Sequence, residues 1–239
     1  MIEAFITNLG KYNEGELQGE YLKLPATTED VQALLSRINV DGVVYEEFFI
    51  TSYETDIPGL SRYLSEYESI DELNYLASLL EGMHKWELAK FEGLVVYSDN
   101  SGAKDLINLA QNLECYEYYP DVKDYDDLGH YLIDELGFEE IPERLVNYFD
   151  YESYAEDYVS YEGGEFVDSG FIYRNDADFE EHYKGRADLP EEYKIFNYPL
   201  QEKSIQKSLA NYKEMIDGIS KSVMEPAIAV ERNHAHENR

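Results

Sequence analysis

The sequence contains a single cysteine, Cys115, among 239 residues. One thiol excludes an internal disulfide and every zinc site built from several cysteines. Cys115 stands among apolar and aromatic residues in the segment ECYEYY. This context predicts a buried thiol on a strand and not a nucleophile.

Long apolar runs are missing as well. No segment approaches the roughly 20 apolar residues that span a bilayer. The first ten residues, MIEAFITNLG, include the acid Glu3 and lack the apolar region of a secretory signal. We therefore expect a cytoplasmic protein with no membrane partner.

Positive charge is scarce, because 19 lysine and arginine residues face 51 aspartate and glutamate residues, for a net charge of −32. The whole imbalance lies in residues 1–183, with 42 acids and 10 bases, whereas residues 184–239 contain 9 of each. Such a surface repels nucleic acid and attracts cationic proteins. We expect no direct nucleic-acid binding and favour a partner that normally binds a polyanion. A halophilic origin or simple solubility would also explain the composition, and both stay open here.

Sequence motifs of catalysis are missing too. The chain has no Walker loop and no GxGxxG, GxSxG or HExxH pattern, and its five histidines form no metal set. Carboxylates are so numerous that pairing two of them as a glycosidase acid and base carries no information. We expect no enzyme, no cofactor and no metal.

The nearest approach to a metal motif is a calcium-binding loop. Asp124, Asp126, Gly129 and Glu135 match positions 1, 3, 6 and 12 of the EF-hand pattern, but position 5 is Leu128, which offers no oxygen ligand. The same residues fit an amphipathic helix with acids at its N-terminus, where the helix dipole favours them. We prefer the helix, and a calcium-binding protein is the weaker alternative.

Apolar residues make up 44% of the chain, including 23 tyrosines and 10 phenylalanines, which is too many for a disordered acidic tail. The pattern predicts an α+β protein of three small domains with a C-terminal helical extension. The predicted boundaries are 1–59 for an N-terminal α+β domain, 60–113 for a central, mainly helical domain, 114–183 for a highly acidic C-terminal α+β domain, and 184–239 for a charge-neutral extension.

The first domain is predicted to contain three strands, near residues 2–7, 21–24 and 43–53. A helix capped by Thr27 or Thr28 separates the last two strands. Its apolar positions are Val31, Leu34, Leu35 and Ile38.

The central domain is predicted to be helical, and Ser101 is the expected N-cap of its last helix. The segment LVVYS fits either a strand or a buried loop. The predicted helical stretches cover 60–67, 69–83, 84–94 and 101–113.

The third domain is predicted to open with a strand at 115–119 and to close with a strand pair within 164–174. Two helices lie between, one at 125–137 ending at Gly137 and one at 142–151 starting at Pro142. The first has an apolar stripe of Leu128, Leu132 and Leu136.

The extension is predicted to begin with an irregular, partly docked connector at 189–200. A heptad-like seam then marks one amphipathic helix at about 201–223, too short for an independent coiled coil. It fits docking on the body or short self-association, before a frayed end. The seam consists of Ile205, Leu209, Tyr212, Ile216, Ile219 and Val223.

The charge can be compared with that of DNA. B-form DNA carries about one negative charge per 1.7 Å of its axis, so 32 charges correspond to at most roughly 54 Å of duplex, or about 16 base pairs. An acidic protein of this size could therefore occupy a DNA-binding channel.

Three segments in order along the chain carry a resemblance: NLGKYNEGELQGEYLKLPAT, then SIDELNYLASLL with KDLINLAQNLECYEYYP, then LGHYLIDELGFEEIPERLVNYFDYESYAEDY. They resemble the ArdA antirestriction family, from Ile2 to near Tyr183. The resemblance implies an elongated, curved molecule of three small domains that forms a homodimer through the third. It also implies a DNA mimic, carried by mobile genetic elements, that binds the DNA-binding site of type I restriction-modification enzymes. Where family members often have Gly-Arg, this chain has Ala155 and Glu156.

The acids of the third domain are the predicted interaction surface. Their alternative interpretation is an ordinary solvated face, and the alternative for the whole protein is an acidic scaffold or chaperone for basic DNA-binding proteins. The predicted residues are Asp121, Asp124, Asp126, Asp127, Asp134, Glu135, Glu139, Glu140, Glu143, Asp150, Glu152, Glu156 and Asp157.

Overall fold

The structure is a computed structural model that describes residues 2–199. Contacts between Cα atoms divide the chain into two units, Met1–Tyr198 and Pro199–Arg239. The described residues form a mixed α+β fold with two small antiparallel sheets, which confirms the predicted class. The division of residues 1–183 into three domains stays a prediction, and the amphipathic helix at 201–223 lies outside the described residues.

The N-terminal sheet, sheet A, has the strand order β2-β1-β3. Alternate residues of β1 point into the core, where Ile2, Ala4 and Ile6 are fully buried. The strands are β1 (Ile2–Asn8), β2 (Gly19–Leu24) and β3 (Phe48–Thr55), with a short helix α1 (Leu9–Asn13) after β1. The first two strands are confirmed.

The third strand was predicted to begin at residue 43, and that start is wrong. Oδ1 of Asp41 accepts hydrogen bonds from the backbone N–H groups of Val43, Val44 and Tyr45. This bonding bends the chain into a loop, so Val43 and Val44 are exposed and the strand begins only at Phe48.

Helix α2 (Thr28–Arg37) is confirmed, and its cap explains its start. The hydroxyl of Thr27 accepts from the N–H of Asp30, and Asp30 accepts from the N–H of Thr27, which is a capping box. The predicted apolar positions Val31, Leu34, Leu35 and Ile38 are all buried.

Three helices follow a 3-10 turn at Leu60–Tyr63: α3 (Ile70–Gly82), α4 (Lys85–Tyr97) and α5 (Ala103–Ala110). The segment LVVYS is neither a strand nor a loop, because its first four residues continue α4 and Leu94 and Val95 pack in the core. Gly102, with φ of +85°, occupies the N-cap of α5 in place of Ser101, so the predicted N-cap is wrong.

The C-terminal sheet, sheet B, contains the predicted opening strand, β4 (Tyr116–Pro120), and the predicted closing pair, β5 (Glu165–Val167) and β6 (Gly170–Arg174). Their order in the sheet is β4-β6-β5. Its two faces enter different cores. Ile172 joins the main core of sheet A and α2 to α5, whereas Phe171 and Tyr173 join a smaller core under the following helices. Cys115 is buried just before β4, and burial raises the pKa of its thiol.

The predicted helix at 125–137 is found as α6 (Tyr125–His130) and a π-helical turn, Tyr131–Glu135. Leu128 and Leu132 are fully buried, but Leu136 is 41% exposed, because the helix has ended and Gly137 has a φ of +67°. The predicted helix at 142–151 is wrong. This stretch contains only a 3-10 turn, Val146–Tyr148, and the next helix, α7, spans Tyr151–Glu162.

Residues 175–199 follow sheet B as an irregular segment with 3-10 turns at Arg186–Asp188 and Glu191–Tyr193. Leu189 and Ile195 are buried in the main core. The predicted docked connector is therefore confirmed over its described part. In residues 2–199, no helix is long and apolar enough to cross a membrane.

Candidate protein-binding acidic surface

The N-terminus of α6 is built from acids of the predicted surface. Asp124 is the N-cap, and its carboxylate accepts from the N–H of Asp127 at 2.9 Å. Asp127 in turn accepts from the N–H of Lys123 at 3.1 Å. The free N–H groups and dipole of a helix N-terminus stabilise such anions.

The calcium hypothesis finds no ligand geometry at this position. Asp124 is engaged as a helix cap, and Leu128 lies in the core. Among residues 2–199, no group of three or more histidine, cysteine or acidic side chains could hold a metal ion.

An aromatic contact and a shared carboxylate link α6 to α7. The ring of His130 stacks on the ring of Tyr151 with 3.8 Å between the centroids. Asp134 lies 2.7 Å from Nδ1 of His130 and accepts from the hydroxyl of Tyr151 at 3.4 Å. Burial and the Asp134 charge raise the pKa of Tyr151. Gly129 of α6 packs directly against the backbone of Tyr151, and no Cβ would fit between them.

Helix α7 packs aromatic and aliphatic side chains on the core and exposes acids to solvent. Asp150 caps it by accepting from the N–H and the hydroxyl of Ser153, each at 3.0 Å, and these bonds hold the pKa of Asp150 below its ordinary value. Tyr151 and Ala155 are buried. The outer face carries Glu152, Glu156 and Asp157, all exposed.

The loop between the π turn and α7 exposes both acids and apolar residues. Glu139, Glu140 and Glu143 are exposed. So are five apolar side chains within residues 136–148, which is an unusual concentration for a protein surface. These apolar residues are Leu136, Phe138, Leu145, Val146 and Tyr148.

All thirteen predicted acids lie at the surface of the structure. Four of them have local partners: Asp124, Asp127, Asp134 and Asp150. Within residues 2–199 the other nine side chains make no hydrogen bond or ion pair, and none of the thirteen pairs with lysine or arginine. The nine, here called the free acids, are Asp121, Asp126, Glu135, Glu139, Glu140, Glu143, Glu152, Glu156 and Asp157.

The interpretation of the sequence missed the residues that hold this surface in place. Helix α7 has apolar residues at i, i+3, i+4, i+7 and i+8, the standard signal of an amphipathic helix, but Pro142 placed the predicted helix too early. In the sequence Gly129 stands out only as a position of the calcium-loop pattern, and nothing there marks its packing against α7. The apolar residues of α7 are Tyr151, Tyr154, Ala155, Tyr158 and Val159.

The fold and this surface define an acidic α+β protein with a group of exposed carboxylates on and around α6 and α7 that pair with no lysine or arginine of residues 2–199. A family model described as Antirestriction protein (ArdA) matches residues 4–173. The match covers well over half of the chain, which therefore belongs to the ArdA family of antirestriction proteins. A comparison with curated proteins finds no match. The family match ends within β6, so residues 174–199 lie beyond it.

Proposed function

We propose that this chain inhibits type I restriction-modification enzymes by occupying their DNA-binding site as an acidic mimic of B-form DNA. By this action it protects incoming mobile DNA in the cytoplasm. Membership of an antirestriction family supports the outcome. The observation that carries the mechanism is the set of nine free acids, which are exposed around α6 and α7 and pair with no lysine or arginine of the described residues, 2–199.

The spacing of acids on α7 supports the comparison with DNA. Glu152 and Glu156 are four residues apart on a helix, which separates them by about 6 Å along its axis. Two successive steps along one DNA strand span about 6.8 Å. Measured along the respective axes, the rise from Glu152 to Glu156 is therefore close to the rise of two steps of one DNA strand.

The proposed active form is a homodimer formed through residues 114–183, in an elongated molecule of three small domains. The exposed apolar residues of 136–148 support this contact, because a monomer gains nothing from leaving five such side chains in water. Light scattering should report a dimer for the wild type and a monomer for Phe138→Glu. A monomeric wild type would exclude the contact.

Competition between this protein and DNA tests the mechanism. The protein is titrated against a type I enzyme with its DNA substrate, and against a type II nuclease as the control. Selective inhibition that weakens with rising salt is expected, because displaced DNA and mimic contact the same cationic side chains. Equal inhibition of both enzymes would favour a scaffold for basic proteins, and inhibition of neither would exclude the proposal.

A further inference from the structure

Residues 175–198, here called the strap, are held by two asparagines, Asn108 on α5 and Asn112 two residues after the end of α5. The side chain of Asn112 donates to the carbonyl of Glu180 and accepts from its N–H, each at 2.9 Å. One helical turn away, Asn108 does the same with Tyr183, at 2.8 and 2.9 Å. Both asparagines are buried. Each amide thus satisfies both backbone groups of one strap residue, as a neighbouring β-strand would.

Helix α3 holds the next part of the strap through two carboxylates. Buried Glu72 accepts from the hydroxyl of Tyr183 at 2.8 Å and from Nε of Arg186 at 3.1 Å. Asp71 accepts from the N–H groups of Ile195 and Phe196, at 2.8 and 2.7 Å. These anchors therefore contact the strap through its backbone and through the side chains of Tyr183 and Arg186.

The two ends of the strap contact different sheets. At its start, the N–H of Asn175 donates to the carbonyl of Cys115, which extends the pairing of β4 with β6. At its end, the hydroxyl of Tyr198 donates to the carbonyl of Glu46 at 2.7 Å, and Gln32 donates to the carbonyl of Tyr198. The strap thus runs from sheet B across α5 and α3 to the loop and helix beside sheet A.

The anchors lie inside the family match, and the strap lies outside it. Three of these anchors, Glu72, Asn108 and Asn112, are among the few polar residues buried in the described part of the chain. Buried polar groups require hydrogen-bond partners, and the strap supplies them. The anchors on α3, on α5 and at Asn112 are therefore fitted to the backbone of a passing chain segment, and the strap is the segment that they bind.

We propose that the strap, by binding to these anchors, holds sheet A and sheet B at a fixed separation. A mimic with distributed charges depends on such a separation, because each carboxylate must meet a cationic side chain placed to fit DNA. Asn108 and Asn112 then act as positioning residues and do not contact the inhibited enzyme. This role rests on the proposed function.

The test uses the full chain with a specific protease site inserted between the exposed residues Asp176 and Ala177. Spin labels at Lys23→Cys on β2 and Glu165→Cys on β5 report the separation of the sheets. The variant is Asn108→Asp with Asn112→Asp, which removes both amide donors without changing side-chain size. Asn13→Asp with Asn39→Asp, at two exposed positions, is the control with the same change in charge.

After cleavage, the strap fragment should stay bound to the wild type and to the control, with a narrow distance distribution and unchanged inhibition. The Asn108→Asp/Asn112→Asp protein should lose the fragment, show a broadened distribution and inhibit at least tenfold less strongly. Loss of the fragment from the cleaved wild type, or a narrow distribution and full inhibition in the double variant, would overturn the proposal.

If circular dichroism shows that the double variant is unfolded, Tyr183→Phe replaces it. This change removes only the hydroxyl that donates to Glu72. It should speed release of the cleaved fragment at least tenfold, and an unchanged rate would overturn the proposal. A wild type that fails to inhibit a type I enzyme would contradict the proposed function instead, whereas fragment retention and the distance distribution would still decide the role of the strap.

Discussion

Replacing Gly129 with alanine should force α6 and α7 apart. A Cβ at this position would lie 2.1 Å from the carbonyl oxygen of Tyr151, 2.6 Å from its carbonyl carbon and 2.9 Å from its Cβ. Ordinary contact begins near 3.4 Å, so the oxygen would have to move by about 1.3 Å. The obstacle is largely backbone at the start of a helix, which no change of side-chain rotamer can relieve.

Two opposing effects determine how much Gly129→Ala changes the free energy of unfolding. Overpacking a close contact costs roughly 1–3 kcal/mol, and a clash with backbone belongs at the upper end. Glycine-to-alanine replacement inside a helix returns about 1 kcal/mol of propensity. The net loss should be about 1–2 kcal/mol, which for a unit of this size lowers Tm by roughly 2–8 °C.

Gly82 supplies a matched control, because it lies at the end of α3 and a Cβ there would meet nothing within 4 Å. Thermal unfolding followed by circular dichroism should show a lower Tm for Gly129→Ala and an equal or higher Tm for Gly82→Ala. Gly129→Ala should also weaken inhibition, since α7 carries three of the free acids. A Gly129→Ala protein as stable as the wild type would refute the close approach of the two helices.

Three further predictions concern the same layer. Asp150→Ala should lower Tm at pH 7, and Asp150→Asn should not, because asparagine also caps helices. The folded pKa of Asp150 is depressed, so its contribution is present above the unfolded value of about 3.9 and is lost as pH falls through the folded pKa. Thermal melts between pH 7 and pH 2 should show that the difference in Tm between the wild type and Asp150→Ala shrinks as the pH falls. A constant difference would contradict the role of Asp150 as a cap. Phe171→Ala should cost about 3–5 kcal/mol in urea unfolding, because this ring is fully buried in the smaller core; a loss under 1 kcal/mol would be inconsistent with that core. Glu139→Gln alone should reduce inhibition less than about fivefold, since exposed ion pairs contribute at most about 1 kcal/mol; a larger loss in the competition assay would reveal a hot spot.

The sequence predicts an element correctly when both its first residue and its buried face are marked by residues of the element itself. Helix α2 is the clearest case, because Thr27 and Asp30 cap it and its apolar residues repeat at helical spacing. The β3 boundary was missed because the β-branched pair Val43 and Val44 favours a strand, whereas the Asp41 side chain bonds their N–H groups and prevents it. At this position the hydrogen bonds of one carboxylate outweigh the strand propensity of two valines.

Contacts distant in sequence could not be predicted. Asn108 and Tyr183 are 75 residues apart, and nothing in either segment marks the pair. Surface exposure of the thirteen acids was predictable, because aspartate and glutamate are seldom buried. Their division into four with local partners and nine free acids was not, since it depends on caps such as Asp150 at the start of a helix that the sequence interpretation missed.

The most direct test of the account replaces six free acids together. Asp121, Asp126, Glu139, Glu140, Glu156 and Asp157 become amides in one variant. The control variant makes the same change at six exposed acids of residues 1–113, which are Glu29, Glu46, Glu47, Glu66, Glu81 and Asp99.

Both variants lose six negative charges, and unchanged circular dichroism spectra establish that both are folded. At about 0.5 kcal/mol for each exposed contact, the first should inhibit a type I enzyme roughly 100-fold more weakly than the wild type. The control should lose much less. Equal losses in the two variants, or none in the first, would contradict the claim that the free acids around α6 and α7 carry the inhibition.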